Sequence, residues 1–344
     1  MSDTYVMGDV QFQALNAWNY EAGNRFLDWF DSLDVPKGST LIQVGDMTEK
    51  DTNPGDVVRQ LERFFQICAR KFDKTYVLVG NHDLRMYHGR SMVSFAFAEE
   101  KDKIEVVRSL SCIKIGTARV LAMPFFRPKG KTLHDFYNSK SREDYLKLGD
   151  LDRDYDLCVG HWQKQGEEGS PSWARDGVDT SRLPVRKFML GHIHDRPDPD
   201  YLGSLWPLKV SEQRTAFPRV LGVMRAGADE DEVSYSEIPV PTFCDYGTVT
   251  YPEKIEPTDD GITHVYTVEN CSALAIAQAY YPGLHIRATS SAGGKEDITV
   301  ASEEAFSYSD FVDAFKKYMD EKKPKVSRNA IRIVTSALKR LATD

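Results

Sequence analysis

Tyr76-Val77-Leu78-Val79-Gly80-Asn81-His82-Asp83 is the stretch whose reading decides the fold. Four strand-forming residues run straight into a glycine and three polar side chains. In an open α/β sheet the carboxyl ends of the strands are where ligands sit. An Asn, a His and an Asp delivered there can bind a metal, move a proton and orient the proton carrier. Taken alone, the stretch reads equally well as a strand-to-loop turn, with Gly80 and Asn81 serving the turn. The other strand ends separate the two readings.

Toward the N-terminus, Tyr5-Val6-Met7 ends in Gly8-Asp9, and Thr40-Leu41-Ile42-Gln43-Val44 ends in Gly45-Asp46. Between them, Phe26, Phe30 and Leu33 fall at helical spacing within residues 18–33. Asn53-Pro54 offers a capping side chain and then Pro at the first helical position, and Val57, Leu61, Phe64, Phe65 and Cys68 line one face of the helix it opens. Strand and helix alternate up to the opening motif, which argues a layered α/β fold.

Toward the C-terminus, Ile104–Val107, Ser111–Ile115 and Ala118–Ala122 read as short strands, the last two joined by a hairpin turn at Gly116-Thr117. Ser141–Leu148 reads as a helix. Asp156–Val159 is a strand ending in Gly160-His161, and Arg186–Leu190 is another, ending in Gly191-His192-Ile193-His194-Asp195. Tyr201–Gly203, Val220–Met224 and Val233–Ile238 read as strands that complete a second sheet. Pro239, Pro241, Pro252 and Pro257 then punctuate a stretch of weak periodicity, so a domain boundary is expected near residue 240. Residues 262–300 alternate strand-like runs (His264–Val268, Leu284–Ala288, Ile298–Val300) with a helix candidate, Ser272–Tyr280, as in a small α/β cap. Two apolar stripes, Tyr308 to Met319 and Ile331 to Leu341, are broken by Lys322-Lys323-Pro324-Lys325 and predict a C-terminal helix pair. That pair is basic, with nine Lys/Arg against three Asp/Glu from Phe311 to Arg340. The expected domains are 1–240, 241–303 and 304–344.

The net charge is −8, so there is no global basic field, and any nucleic-acid contact must use a local basic face. The five cysteines (Cys68, Cys112, Cys158, Cys244, Cys271) never fall in CxxC spacing and read as reduced residues, neither a zinc site nor a disulfide framework. No apolar run approaches the ~18 residues of a membrane span. The N-terminus enters a strand at once and reads as lacking a signal peptide. The expected location is the cytoplasm.

Five strands thus end in Gly followed by a metal-capable residue, and four of the eight histidines lie at those ends. Carboxylates, imidazoles and one amide oxygen form a mixed N/O set suited to Mn, Fe or Zn. Two cations sharing a carboxylate can clamp both the attacking and the leaving oxygen of a phosphoryl displacement. His88, His134, His264 and His285 have no motif partners and read as surface or core residues, and Glu49 reads either as a residue supporting the metal ligands or as a helix start, with the helix start preferred.

The order Gly-Asp, Gly-Asp, Gly-Asn-His-Asp, Gly-His, Gly-His-x-His resembles the calcineurin-like metallophosphoesterase superfamily. Within it, Gly160-His161-Trp162 and Tyr201-Leu202-Gly203-Ser204-Leu205-Trp206-Pro207-Leu208 resemble the nuclease subunit of the SbcC–SbcD and Mre–Rad DNA-repair complexes. The compact length and terminal helix pair are most similar to the phage version of that subunit, which would place the protein in the host cytoplasm. The resemblance implies a two-sheet α/β/β/α sandwich with a cap and a C-terminal helix pair. It implies two divalent metal ions, usually Mn. Asp46 would bridge them, Asp9, Gln11 and His194 would hold the first, and Asn81, His161 and His192 the second. His82 would serve the leaving oxygen and Asp83 would orient His82. It further implies double-stranded DNA ends as substrate, a homodimer, and a coiled-coil ATPase subunit held by the C-terminal helices. The family carries His at position 11, where this chain has Gln11, a weaker ligand for such metals. Two other readings compete: a stand-alone phosphoesterase for a small diester or a phosphoprotein, and a DNA-end-binding scaffold with a weakened metal site.

Overall fold

The computed structural model describes residues 3–13, 17–49, 55–84, 86–87, 90–91, 102–166, 177–208, 212–213, 217–227, 232–250, 253–255, 260–269, 281 and 284–288. The chain opens with β1 (Asp3–Met7), α1 (Ala17–Ser32), β2 (Thr40–Gln43), α2 (Gly55–Lys71) and β3 (Lys74–Leu78). A short hairpin, β4 (Met86–Tyr87) and β5 (Arg90–Ser91), precedes β6 (Ile104–Val107), and β1, β2, β3 and β6 lie side by side in parallel. Then come β7 (Ser111–Ile115), β8 (Ala118–Met123), α3 (Leu133–Asn138), α4 (Arg142–Leu148), β9 (Tyr155–Gly160) and β10 (Val185–Leu190). These strands form a second sheet in the order β10-β9-β8-β7, with only β7 antiparallel.

Alternation along each strand sends successive side chains to opposite faces, and this sets the layers. Val6, Ile42 and Leu78 of the first sheet share one apolar cluster with Val120, Ala122, Leu157 and Val159 of the second, so the two sheets pack face to face. Tyr5, Met7, Leu41 and Val77 point the other way, into a cluster with Phe26 and Phe30 of α1 and Leu61, Phe64 and Phe65 of α2. On the outer face of the second sheet, Leu121, Cys158 and Leu190 pack with Tyr137 of α3 and Tyr145 of α4. The result is the expected α/β/β/α sandwich.

Several details differ from the sequence reading. β11 (Val220–Ala226) and β12 (Val233–Pro239) extend the first sheet, where they were expected to complete the second. β11 lies antiparallel to β1, pairing Met7 with Leu221 and Asp3 with Arg225. Its Gly222 leaves room for the Met189 side chain from the facing sheet. Tyr201–Gly203 is no strand: Tyr201 makes an isolated bridge to Leu190, and Gly203 turns the chain at φ 78°. The helix α3 carried no periodic signal long enough to notice, yet Thr132 caps it through a reciprocal pair of hydrogen bonds with Asp135.

β13 (Cys244–Thr250), which sequence alone left as aperiodic chain, forms a third, all-parallel sheet with β14 (Thr263–Glu269) and β15 (His285–Ala288). It is fastened to α1: Arg25 Nε donates to Thr263 Oγ1 at 3.1 Å, His285 Nε2 lies 3.1 Å from Glu21 Oε2, and Phe243 packs edge-on to Phe26. The helix candidate 272–280, the strand 298–300 and the C-terminal helix pair lie outside the described residues, as does Cys271. Among the described residues, no helix is long and apolar enough to cross a membrane.

Candidate metal centre

All five strand ends converge at one rim of the sandwich. The glycines are required there by contact. A Cβ on Gly80 would collide with the carboxylate and backbone nitrogen of Asp46, and one on Gly191 with the Asp9 carboxylate. Three residues of the rim, Gln11 (φ 48°), Asp46 (φ 52°) and His192 (φ 78°), take the left-handed backbone conformation that L residues usually avoid. Each is held by its surroundings: the Gln11 N–H donates to the Asp46 carbonyl at 2.9 Å, and the His192 N–H to the Asp9 carboxylate at 3.0 Å. Strain of this kind, about 1–3 kcal/mol per residue, gathers where a site over-determines its geometry.

One group of donors forms around His161. Its Nδ1–H donates to the Val44 carbonyl at 2.9 Å, which turns Nε2 inward. Nε2 then lies 3.2 Å from Asp46 Oδ2, 2.9 Å from Asn81 Oδ1 and 3.3 Å from His192 Nδ1. His192 Nδ1 is itself 3.0 Å from Asn81 Oδ1. Beside this group, His194 Nε2 sits 3.4 Å from Asp9 Oδ2 and 2.9 Å from Gln11 Nε2. Asp9, Asp46 and His161 each place a ligand atom within 4.8 Å of the other two, so the two groups adjoin. Every metal-ligand candidate drawn from the sequence is therefore in one cluster.

The charges are mutually dependent. Burial opposes ionisation of Asp46, but the neighbouring His161 outweighs it and holds the carboxyl at about 2. Burial likewise disfavours charge on His161, and the Asp46 and Asp9 carboxylates override it, pushing the ring up to about 9. His192 is driven down to about 3, first by burial and then by the charge on His161. His194 rises to about 10 against its burial because Asp9 and Glu212 both face it.

The residues fit divalent cations. With Nδ1 committed to Val44, the other nitrogen of His161 faces oxygens of Asp46 and Asn81, so a cation among them would take the place of the proton that the carboxylates favour on the ring. Spacings near 3 Å are the edges expected of ligands at right angles on bonds of ~2.1 Å. On the other side, Gln11 Oε1 is buried with no hydrogen-bond partner, an orphaned acceptor on the side chain whose Nε2 faces His194.

His82 and Asp83 frame the cluster. His82 N–H donates to Asp46 Oδ1 at 2.9 Å, its Nδ1 is hydrogen-bonded to the Glu49 carbonyl, and its Nε2 lies 3.8 Å from Asp46 Oδ2. Asp83, expected to orient His82, places its carboxylate on two backbone amides, Met47 at 3.0 Å and Gly80 at 2.9 Å, and so ties the second strand end to the third. Burial, and next the Asp46 charge, raise its pKa to about 7. The Glu49 carboxylate stands 3.8 Å from His82 Nδ1, and the residues after it, 50–54, lie outside the described residues. Reasoning from sequence missed Glu212, which follows no glycine or strand yet lies 3.0 Å from His194 Nδ1. A cavity of about 470 Å³, lined by Gln163, His192, Ile193, His194, Asp195 and Glu212, opens beside the cluster.

A search of curated proteins found no relative of this chain. Among solved structures, a protein of unknown function from Aquifex aeolicus aligns with a TM-score of 0.31 at 15% identity, covering 54% of this chain and 89% of its own. A second aligns with a TM-score of 0.39 at 10% identity, covering 70% of this chain and 99% of its own. Likeness at that level bears on neither fold nor site. The match to the calcineurin-like phosphoesterase family is of another kind: it spans residues 3–196 and takes in every strand end that delivers a donor, from Asp9 to His194. The chain belongs to that family, and the clustered donors are those of a metal-dependent phosphoester hydrolase.

Proposed function

We propose that the protein is a DNA nuclease subunit of the SbcC–SbcD and Mre–Rad type, cleaving phosphodiester bonds at double-stranded ends with two divalent cations, Mn above all. One observation carries the chemistry: two adjoining donor groups, one around His161 and one around His194, meet at Asp46 and Asp9. Asp9, Gln11 and His194 would hold one cation, Asn81, His161 and His192 the other, with Asp46 between. When bound, the two cations supply the positive charge that activates water and stabilises the developing charge on the phosphoryl oxygens.

The chain's own residues do the rest. The Val44 carbonyl fixes which nitrogen His161 presents. The Glu49 carbonyl holds His82 Nδ1, so the opposite nitrogen, Nε2, is the one available to protonate a leaving oxygen. Asp83 keeps Asp46 and Asn81 in register by clamping the backbone on either side.

The substrate class rests on the resemblance of Gly160-His161-Trp162 and Tyr201–Leu208, and the packing of the second segment supports its use. Leu205 N–H donates to the Asp9 carbonyl at 3.0 Å and Ser204 bridges Asp9, so this segment braces the centre from below. The C-terminal segment is assigned to a coiled-coil ATPase partner, and the active form is a homodimer. The deciding experiment incubates the full chain with Mn and blunt double-stranded DNA, with and without a coiled-coil ATPase of the SbcC–Rad type, and in parallel with a small chromogenic phosphodiester. DNA cleavage stimulated by the ATPase supports the proposal. Hydrolysis of the small diester without any DNA cleavage points to the stand-alone phosphoesterase.

A further inference from the structure

We propose that Glu212 is the positioning residue of His194, and that the carboxylate behind this ring sets the cation affinity of the half of the centre that contains Gln11. The inference rests on the two-cation reading above. Glu212 Oε1 lies 3.0 Å from His194 Nδ1 and its Oε2 accepts the Leu208 N–H at 2.9 Å. The Arg219 guanidinium hydrogen-bonds the backbone carbonyl of Glu212. The carboxylate is thus held through both oxygens and its own peptide is anchored, although the residue comes from outside every strand end.

The consequence for His194 is specific. A proton on Nδ1 is given to Glu212, so Nε2 must be the atom that faces Asp9 and Gln11. An anion behind a ligating imidazole also raises its basicity and locks its rotation. His161 is oriented the same way by the neutral Val44 carbonyl, which directs the ring without adding charge. The two halves therefore differ in what stands behind the histidine. The stronger support backs the half where Gln11 offers only an amide, which is where extra basicity is most useful.

A plainer role exists for Glu212: holding the backbone at Leu208 through its amide. Glu212→Gln separates the two, because a carbonyl oxygen remains for hydrogen bonding while the charge is removed. The test titrates Mn into the metal-free full chain without substrate, following binding by calorimetry and by the resonance of free Mn. Wild type, Glu212→Gln and His194→Ala are compared, with thermal melts in chelator as the control for folding. Two classes of Mn site are expected in wild type. His194→Ala should abolish or greatly weaken one class. Glu212→Gln should weaken that same class by about 10–100-fold and leave the other unchanged, with an unaltered melt. Unchanged affinity in both classes for Glu212→Gln, with His194→Ala weakened, would overturn the role of Glu212 alone. A wild type with no second class, or an inert His194→Ala, would overturn the two-cation reading and this inference with it. Should Glu212→Gln fail to fold, Glu212→Asp, which keeps the charge but shortens its reach, is read by the same standard: selective weakening supports the role and unchanged affinity overturns it.

Discussion

His82 and Gln11 differ from the other residues of the centre in what each can lose. His82 touches Asp46 through its backbone amide, and its ring is set by Glu49. His82→Ala should therefore keep the Asp46 contact and Mn binding while cleavage falls by about 10²–10⁴-fold, the usual worth of a general acid; loss of Mn binding together with cleavage would assign the ring to the ligand set. Gln11 is wholly buried with an orphaned oxygen, a poor donor in a good place. Gln11→His should lower the Mn concentration for half-maximal activity, and coincident titrations of the two proteins would show the amide to be a working part of the centre. Position explains what sequence could reveal here. Asp9, Asp46, Asn81, His161 and His192 each follow a glycine at the end of a strand, so a local rule finds them. Glu212 reaches His194 from a loop with no such mark, and Asp83 acts through backbone amides that no side-chain motif describes.

At the scale of elements, the longer helices and most strands were legible because their periods are local. Phe26, Phe30 and Phe64 sit where helical spacing puts them, with ring centroids 5.4 to 6.5 Å apart between the two helices and the sheet. Phe64→Ala should cost about 3–5 kcal/mol, since a buried ring leaves a cavity that its neighbours cannot close; chemical denaturation would measure it. What local pattern does not carry is partnership. β11 and β12 have strand periodicity, but nothing along them says that β11 runs antiparallel beside β1 in the first sheet, with β12 antiparallel outside it. β13 was hidden for another reason: prolines flank it, and Asp245, Gly247 and Thr248 break up its run of apolar residues. It becomes a strand because the parallel pairing with β14 from Cys244 to Thr250 compensates for weak local preference.

The whole molecule adds connections between units that were read separately. Burial would raise the Glu21 carboxyl, but hydrogen bonds from Arg25 and His285 outweigh it and leave the pKa below the ordinary 4.5. A carboxyl depressed in the folded state stabilises above its unfolded pKa, and that stabilisation is lost as the pH falls through the folded value. The β13–β15 sheet should thus loosen from α1 below about pH 4, read as faster amide exchange at Val265 and Ile286 than at Leu41. If the proposed function holds, deleting residues 307–344 should abolish binding of a coiled-coil ATPase partner and leave Mn-dependent hydrolysis of a small chromogenic diester; a complex that survives the deletion would place the docking surface elsewhere. The convergence of strand ends has a further consequence for how the chain is made. Donors at positions 9, 46, 81, 161, 192 and 194 come from both sheets, and β1, which carries the first, is flanked on one side by β11 from residues 220–226. No fragment that stops short of His194 carries the whole donor set. A ribosome translating this chain has made nearly two thirds of it before β11 can flank β1, so the metal centre is assembled late in synthesis.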